Sequence, residues 1–379
     1  MSFDPGGDDS PLSPADADLV AECAAVIDVP KQEPPNSFVL HAPLELLARA
    51  LLLPRVPDDR RDQARARLRW LATTYADAGP PATAAVDTTA ADDIDRVVAS
   101  LAAAGHGPIL LSLRPRVAAV SADFGSRGIA TELARYPDWA LTWQQHRSLG
   151  VLATGDLVER LAAPPSPGDP GSDFIFPTMH LTETSGLAAE VLDEPLRGLD
   201  IDTARRLLLR VAAQSMLQDD PNRAPYGWTH CLTMPQAVLA VAGQCARPED
   251  AIAVAATYVL GFRSTLRTTR VYPDASPVRS ERTGLLDALT HAPRDAAAFV
   301  WWAPDEIVPT IVDELVAYAA VHPDAHLVKY TLACLDTAAT DPDAARLYLS
   351  AAAYLGAWWR AVPFPDDPII GTLAANPTR

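Results

Sequence analysis

Apolar residues recur every three or four positions along most of the chain, which is the spacing of amphipathic helices. Alternation with a period of two, typical of strands, is scarce. The pattern therefore predicts an all-α fold, a large multi-helix bundle. Predicted helices cover residues 15–27, 37–53, 58–76, 91–104, 110–124, 139–161, 176–192, 202–216, 249–265, 285–301, 307–321, 325–337 and 344–359, with a further apolar helix ending near residue 244.

Two segments interrupt the helical pattern. Residues 1–16 are rich in Asp, Pro, Gly and Ser, and they are predicted to form a disordered N-terminal tail. Residues 164–172 combine Pro, Gly and Ser in the clearest loop, which makes them the candidate for a sub-domain boundary or a lid hinge. The predicted organisation is a tail at 1–16 and a single helical domain at 17–379.

The stretch beginning at His322 carries the most distinctive chemistry. Asp324 suits the first turn of a helix, and His326 and Lys329 then lie three positions apart, on one face. His322 would share that face if the first turn included it. Taken alone, this helix favours a solvated polar face, because an apolar stripe occupies its other side: Leu327, Val328, Thr331, Leu332 and Leu335. A functional site would need other helices to cover the polar face.

Four of the eight histidines lie in or just before apolar helices that are far apart in sequence: His41, His146, His230 and His326. Helical bundles build metal centres from inward-facing side chains of several helices. Imidazole suits iron, zinc, copper and nickel, so the set does not choose the metal. A histidine on an apolar face is also common as a core residue with satisfied hydrogen bonds.

Charge and composition exclude several other functions. With 31 basic and 48 acidic residues, the net charge of −17 disfavours nucleic-acid and membrane-surface partners. Neither a signal peptide nor a long apolar span is visible, which predicts a cytoplasmic protein. No phosphate-binding or dinucleotide-binding glycine motif occurs. The four cysteines are scattered, without C-x-x-C spacing: Cys23, Cys231, Cys245 and Cys334. This predicts that they are buried free thiols in a reducing compartment.

Three short segments resemble motifs of the questin oxidase-like family. The His-Ala-Pro-Leu segment at His41 is similar to the family's His-x-Pro-Met helix, and the His-Cys-Leu-Thr segment at His230 is similar to its His-x-x-Thr segment. Residues 324–329 resemble its Asp-x-His-x-x-Lys motif. The matches occur in family order and span about three quarters of the chain.

The resemblance implies a helical oxygenase that cleaves a ring of an anthraquinone or related aromatic polyketide, formally like a Baeyer–Villiger reaction. It implies one mononuclear non-heme iron, held by four histidines and a lysine carboxylated on its amine. The implied ligands are His41, His230, His326 and Lys329 by position and His146 as the remaining histidine, with His106 and His180 as alternatives. The expected partner is a small quinone-like aromatic. NADPH is a candidate reductant without a visible binding motif, and the sequence does not give the oligomeric state.

The lysine can be a ligand only in a modified form. An ammonium group has no lone pair and would be repelled by a metal cation. Addition of carbon dioxide to the neutral amine of Lys329 would give an anionic carbamate, which requires a site that lowers the pKa of the amine.

Two other functions remain open from the residues. One is a metal-dependent hydrolase that activates water. The other is a metal-free helical binding or assembly protein. Trp143, Trp228 and Tyr330 could either line a pocket for a flat substrate or pack in the core.

Overall fold

The computed structural model describes residues 12–27, 37–80, 154–192, 199–241, 248–282 and 284–370, which form helices and contain no strand. The all-α prediction is confirmed. In chain order the described helices are α1 (Pro14–Ile27), α2 (Ser37–Leu52), α3 (Asp58–Asp77), α4 (Thr154–Ala162), α5 (Ile175–Thr184), α6 (Leu187–Val191), α7 (Ile201–Gln218), α8 (Thr229–Val241), α9 (Pro248–Leu266), α10 (Leu285–His291), α11 (Pro293–Trp302), α12 (Val308–Val321), α13 (Ala325–Thr340) and α14 (Ala345–Arg360).

Two predicted helices are divided by local backbone chemistry. The helix predicted at 176–192 becomes α5 and α6, because Gly186 adopts a left-handed conformation with φ of 71° that glycine reaches without strain. The helix predicted at 285–301 becomes α10 and α11. There Ala292 is extended, with φ of −144° and ψ of 149°, as expected for a residue before proline.

Other predictions differ at their ends or cannot be compared. Helix α1 begins at Pro14, so the last three residues of the predicted tail are helical, and residues 1–11 lie outside the described residues. The predicted helices at 91–104 and 110–124, and residues 139–153, also lie outside them. The loop predicted at 164–172 is confirmed as non-helical.

The segment before the helix of His230 is helical but irregular. A short 3₁₀ turn at Pro221–Arg223 leads into a π-helical stretch at Ala224–Trp228, which we call the π segment. Helix α8 follows directly and contains Pro235. His230 therefore lies in the first turn of an α-helix that continues from a wider one.

Helix α13 lies at the centre of the described helices. It packs against α2, α8, α12 and α14, and its side chains from Ala325 to Leu335 are all buried. Asp324 caps its start, because the carboxylate accepts hydrogen bonds from the backbone N–H of His326 (2.8 Å) and Leu327 (3.2 Å). A helix buried on every side brings its polar residues, as well as its apolar ones, into the interior.

A buried arginine fixes α2 against the end of α12. The Arg49 guanidinium pairs with Glu45 at 2.8 Å and donates to the carbonyl oxygens of Ala320 at 2.7 Å and His322 at 2.6 Å. Carbonyl groups at a helix C-terminus have no partner within the helix and carry partial negative charge, so a cation there satisfies and stabilises them. These bonds set the position of the turn that leads into α13.

Two further sequence predictions bear on the class of protein. Cys23, Cys231 and Cys334 are free and buried, as predicted, and Cys245 lies outside the described residues. Among the described helices, none combines the length and apolar character needed to cross a membrane.

Candidate functional site

Four of the predicted site residues meet in the interior, carried by three helices. His41 comes from α2, His230 from α8, and His326 and Lys329 from α13, and we call these four the histidine–lysine cluster. The His326 ring is central, with its centroid 4.8 Å from that of His41 and 5.0 Å from that of His230. Lys329 Nζ lies 2.8 Å from His41 Nδ1. Residues almost 290 positions apart thus share one site.

The cluster is buried. His230 is 3% exposed, His326 6% and Lys329 2%, while His41 is partly buried. The interpretation of His326 and Lys329 as a solvated face is therefore wrong. Helices α2 and α8 cover the side of α13 opposite the apolar stripe, and they bring His41 and His230 onto it.

Electrostatics keep the outer imidazoles neutral. Burial lowers the pKa of His41 well below its usual value, and the charge of Lys329 and the neighbouring His326 lower it further. Burial likewise lowers the pKa of His230, with His326 and then Lys329 adding to the effect. A neutral imidazole has one ring nitrogen with a free lone pair, which is the form that binds metals.

A carboxylate lies beside the central ring. Burial raises the pKa of Asp324, but the His326 ring, the His322 ring and the His326 backbone N–H together outweigh burial, and the pKa is lowered overall, so the group is ionised. Asp324 Oδ1 lies 3.3 Å from His326 Nδ1. Metal-binding histidines commonly direct one ring nitrogen to a carboxylate and the other to the metal. This arrangement leaves His326 Nε2 as the available donor atom.

Four ring nitrogens of the cluster have no hydrogen-bond partner among the described residues: Nδ1 and Nε2 of both His230 and His326. An unsatisfied buried polar group costs about 1–3 kcal/mol. A ligand that accepts the lone pairs of these nitrogens would remove that cost for several groups at once.

The distances between the rings fit coordination to one metal ion, but the ring nitrogens are not placed around a common centre. Metal–nitrogen bonds of about 2.1 Å place an imidazole centroid about 3.2 Å from the metal, so ligands at right or tetrahedral angles have centroids about 4.5–5.2 Å apart. The observed 4.8 and 5.0 Å lie in this range. Nevertheless, no group of three or more His, Cys, Asp or Glu side chains in the described residues is spaced as a metal site. Binding would require the rings to turn and the Lys329–His41 contact to open.

Two aromatic rings lead from the surface to the cluster. The Tyr226 ring, in the π segment, stands edge-on to His326 with centroids 5.0 Å apart. The Phe174 ring lies 5.5 Å from that of Tyr226 and is 51% exposed. An ion pair between Asp173 and Arg223 holds the chain before Phe174 against the turn before the π segment. We call Phe174 and Tyr226 the aromatic pair. The sequence did not predict this pair. The loop at 164–172 does not indicate a role for Phe174 after it, and the only sequence feature of Tyr226 is its position four residues before His230.

The other predicted residues have different positions. His180 is exposed on α5, whereas His106, Trp143 and His146 lie outside the described residues. Trp228 and Tyr330 are fully buried, which favours the core-packing alternative for both.

His322 does not join the cluster. Helix α13 begins after it, and its ring packs against those of Tyr318, Trp359 and Phe364. Its Nδ1 accepts a hydrogen bond from the Asp324 backbone N–H at 3.1 Å, and burial lowers its pKa to about 3. His322 is a neutral core histidine.

Comparison of the chain with protein-family models, with curated proteins and with solved structures finds no significant match. The resemblance to the questin oxidase-like family therefore stays a prediction that rests on three short motifs. Function has to be argued from the histidine–lysine cluster and its surroundings.

Proposed function

We propose that this chain is a metal-dependent oxygenase that cleaves a ring of a flat, quinone-like aromatic substrate. The observation that carries the proposal is the group of imidazoles from three helices in the interior, in which the ring nitrogens of His230 and His326 have no hydrogen-bond partner among the described residues. The choice of a mononuclear iron, and of oxidative ring cleavage of an anthraquinone-like substrate, comes from the motif resemblance. Imidazole nitrogen is a suitable ligand for iron.

The proposed ligands are His41, His230 and His326, with His146 as the further histidine that the resemblance implies. Lys329 joins them as a carbamate. Addition of carbon dioxide to its neutral amine forms a nitrogen–carbon bond and releases one proton, which His41 Nδ1, 2.8 Å from Nζ on a partly exposed ring, would accept and return to solvent before the imidazole binds the metal. Burial of Lys329 favours the neutral amine that this addition requires.

A bound iron would supply the redox chemistry that a reaction with dioxygen needs. The chain's own residues would do the remaining work. Asp324, whose Oδ1 lies 3.3 Å from Nδ1, would orient the His326 ring by accepting a hydrogen bond from that nitrogen. The aromatic pair offers ring faces on which a flat substrate can stack at the entrance. Burial of the cluster keeps bulk water away from the reacting atoms.

The deciding experiment is the metal content of untagged protein purified without chelators, measured by plasma mass spectrometry. We expect about one iron per chain in the wild type. His326→Ala and Lys329→Ala should each fall below about a tenth of an equivalent while the helical circular dichroism is retained. His291→Ala is the matched control, because this exposed histidine on α10 is not a proposed ligand. Iron content that is unchanged in both cluster variants would remove α13 from the site.

Activity separates the oxygenase from a hydrolase. Wild-type protein loaded with iron should consume dioxygen when an anthraquinone is added, with or without NADPH as reductant. A hydrolase would convert its substrate in the absence of dioxygen. Turnover that is equal in air and under argon would contradict the oxygenase.

A metal-free binding protein is the second candidate, and two observations favour it. The described side chains are not spaced as a metal site, and the Lys329–His41 contact can serve as a polar link between α2 and α13. This candidate predicts less than about a tenth of an equivalent of any transition metal, even after anaerobic reconstitution with ferrous iron. It also predicts that chelators leave stability unchanged.

A further inference from the structure

A cavity separate from the histidine–lysine cluster lies between α7, α11 and the non-helical residues 267–282, which we call the strap. Its volume is about 540 Å³, which is in the range of small-molecule binding sites. The strap contributes most of the lining, and α7 and α11 form the opposite walls. His41, His230, His326 and Lys329 do not line this cavity.

Hydrogen bonds hold the strap in place. Gln214 Nε2 donates to the carbonyl oxygens of Pro273 at 2.9 Å and Ala275 at 3.0 Å. Gln218 bonds both ways with Tyr272, donating to its carbonyl at 2.8 Å and accepting from its N–H at 3.0 Å. At the far end of the strap, Trp302 Nε1 donates to the Pro277 carbonyl at 2.8 Å. The cavity is therefore bounded by a fixed wall, which reduces the ordering cost of binding a ligand.

Three guanidinium groups line the cavity, in a chain whose net charge is −17. Arg270 pairs with Glu159. Arg279 lies over the Trp302 ring, 4.6 Å from its centroid, and Arg294 neighbours the Tyr354 phenol. Within the described part of the chain, neither Arg279 nor Arg294 has a carboxylate within ion-pair distance.

One acid among the described residues lines the cavity, and it does not neutralise these two arginines. The Asp295 carboxylate accepts a hydrogen bond from the Ser280 hydroxyl at 3.1 Å and lies 3.5 Å from His291 Nε2. Two guanidinium groups without carboxylate partners thus face a preformed cavity. A guanidinium presents a planar fork of donors that matches a carboxylate or a phosphate.

Apolar side chains also line the cavity, in addition to the arginines. Leu217, Pro277 and Val278 line it, and Val278 is 91% exposed despite having no polar atom in its side chain. We infer that this cavity binds a small organic anion, with an apolar or aromatic body against these side chains and a carboxylate or phosphate group at Arg279 and Arg294. The inference does not depend on the proposed oxygenase.

The test is isothermal titration of the full chain with three probes of one shape: 1-naphthoate, 1-naphthyl phosphate and the neutral naphthalene-1-carboxamide. We expect one of the two anions to bind with a Kd on the order of 0.1–1 mM and the carboxamide to bind at least about tenfold more weakly. The tighter of the two anions identifies the charged group. Binding should weaken as salt is raised, because exposed charges are screened.

A double variant and a control variant test whether the anion binds at these arginines. Arg279→Gln combined with Arg294→Gln should weaken the anion at least about tenfold, and both side chains are exposed, so the fold should be retained. Arg282→Gln is the control, because Arg282 lies on the same strap, pairs with Asp287 and does not line the cavity. Absence of binding by both anions, equal binding of the carboxamide, or unchanged affinity in the double variant would each overturn the inference.

Discussion

Replacing His230 by leucine tests the reasoning about the cluster most directly. The ring is 3% exposed, and neither of its nitrogens has a partner among the described residues. Leucine has a similar volume and no polar atoms. Because an unsatisfied buried polar group costs about 1–3 kcal/mol, we expect the metal-free His230→Leu protein to have a free energy of unfolding equal to the wild type's, or up to about 3 kcal/mol higher.

A bound metal should reverse this order. A ligand that binds only the folded state stabilises it by about 2.7 kcal/mol at a free concentration one hundred times its Kd. The wild type gains this amount when ferrous iron is added, whereas His230→Leu, with one proposed ligand removed, gains much less. The variant should therefore be the more stable protein in chelator and the less stable protein in iron.

The assay is urea unfolding followed by circular dichroism, anaerobically, once with chelator and once with ferrous iron. His291→Leu is the control, because its side chain is exposed and should respond equally under both conditions. If His230→Leu loses more than about 1 kcal/mol in chelator, the ring makes interactions that outweigh its unsatisfied nitrogens. If iron does not stabilise the wild type, the metal centre is refuted.

Three further changes test other parts of the structure. Tyr226→Ala should raise the KM for an anthraquinone about three- to tenfold by removing an aromatic contact, whereas Tyr226→Phe should not. Lowering the pH from about 7.5 to about 5.5 should cost the metal-free protein about 1.4 kcal/mol of unfolding free energy for each of His230 and His322. Their folded pKa values lie below the usual value, at about 3 for His322, so only the unfolded chain takes up protons in this range. Arg49→Met should lower the free energy of unfolding by about 3–5 kcal/mol, because it leaves the Glu45 charge buried and unpaired, and adding Glu45→Gln should recover at least half.

Each of these has an outcome that contradicts it. An unchanged KM in Tyr226→Ala would place the substrate elsewhere. Equal stability at the two pH values, measured by urea unfolding, would mean that the histidines are protonated in the folded protein as well. A loss below about 1 kcal/mol for Arg49→Met, which is the size expected for the exposed Arg205–Asp202 pair, would mean that Glu45 is not held as a buried charge.

Local sequence was enough to predict the helical fold but not every division within it. The regular spacing of apolar residues identifies the buried face of each amphipathic helix. A glycine within a helix costs only about 1 kcal/mol, so Gly186 alone did not predict the left-handed residue that separates α5 from α6. Pro293 is tolerated in the first turn of a helix, and its effect on Ala292 shows only once the helix is known to begin there.

The cluster was predicted in part because its chemistry was visible in the residue types. What α13 alone could not reveal is that its polar side is buried. That depends on α2 and α8, which reach His326 from positions 41 and 230. Contacts over such separations follow from the packing of whole helices. Phe174 was not predicted at all, because a single phenylalanine after a loop has no periodic pattern around it.

The π segment determines how Tyr226 and His230, whose rings lie beside His326, are placed around the helix axis. In a regular α-helix, residues four positions apart are offset by about 40° around the axis. The wider winding of Ala224–Trp228 reduces that offset, and the rings of Tyr226 and His230 each lie 5.0 Å from the His326 ring. Such a bulge amounts to one additional residue within a helical run. Deleting a single residue there would let the run relax to a regular α-helix, so the placement of Tyr226 and His230 around the axis depends on the length of the chain as much as on its side chains.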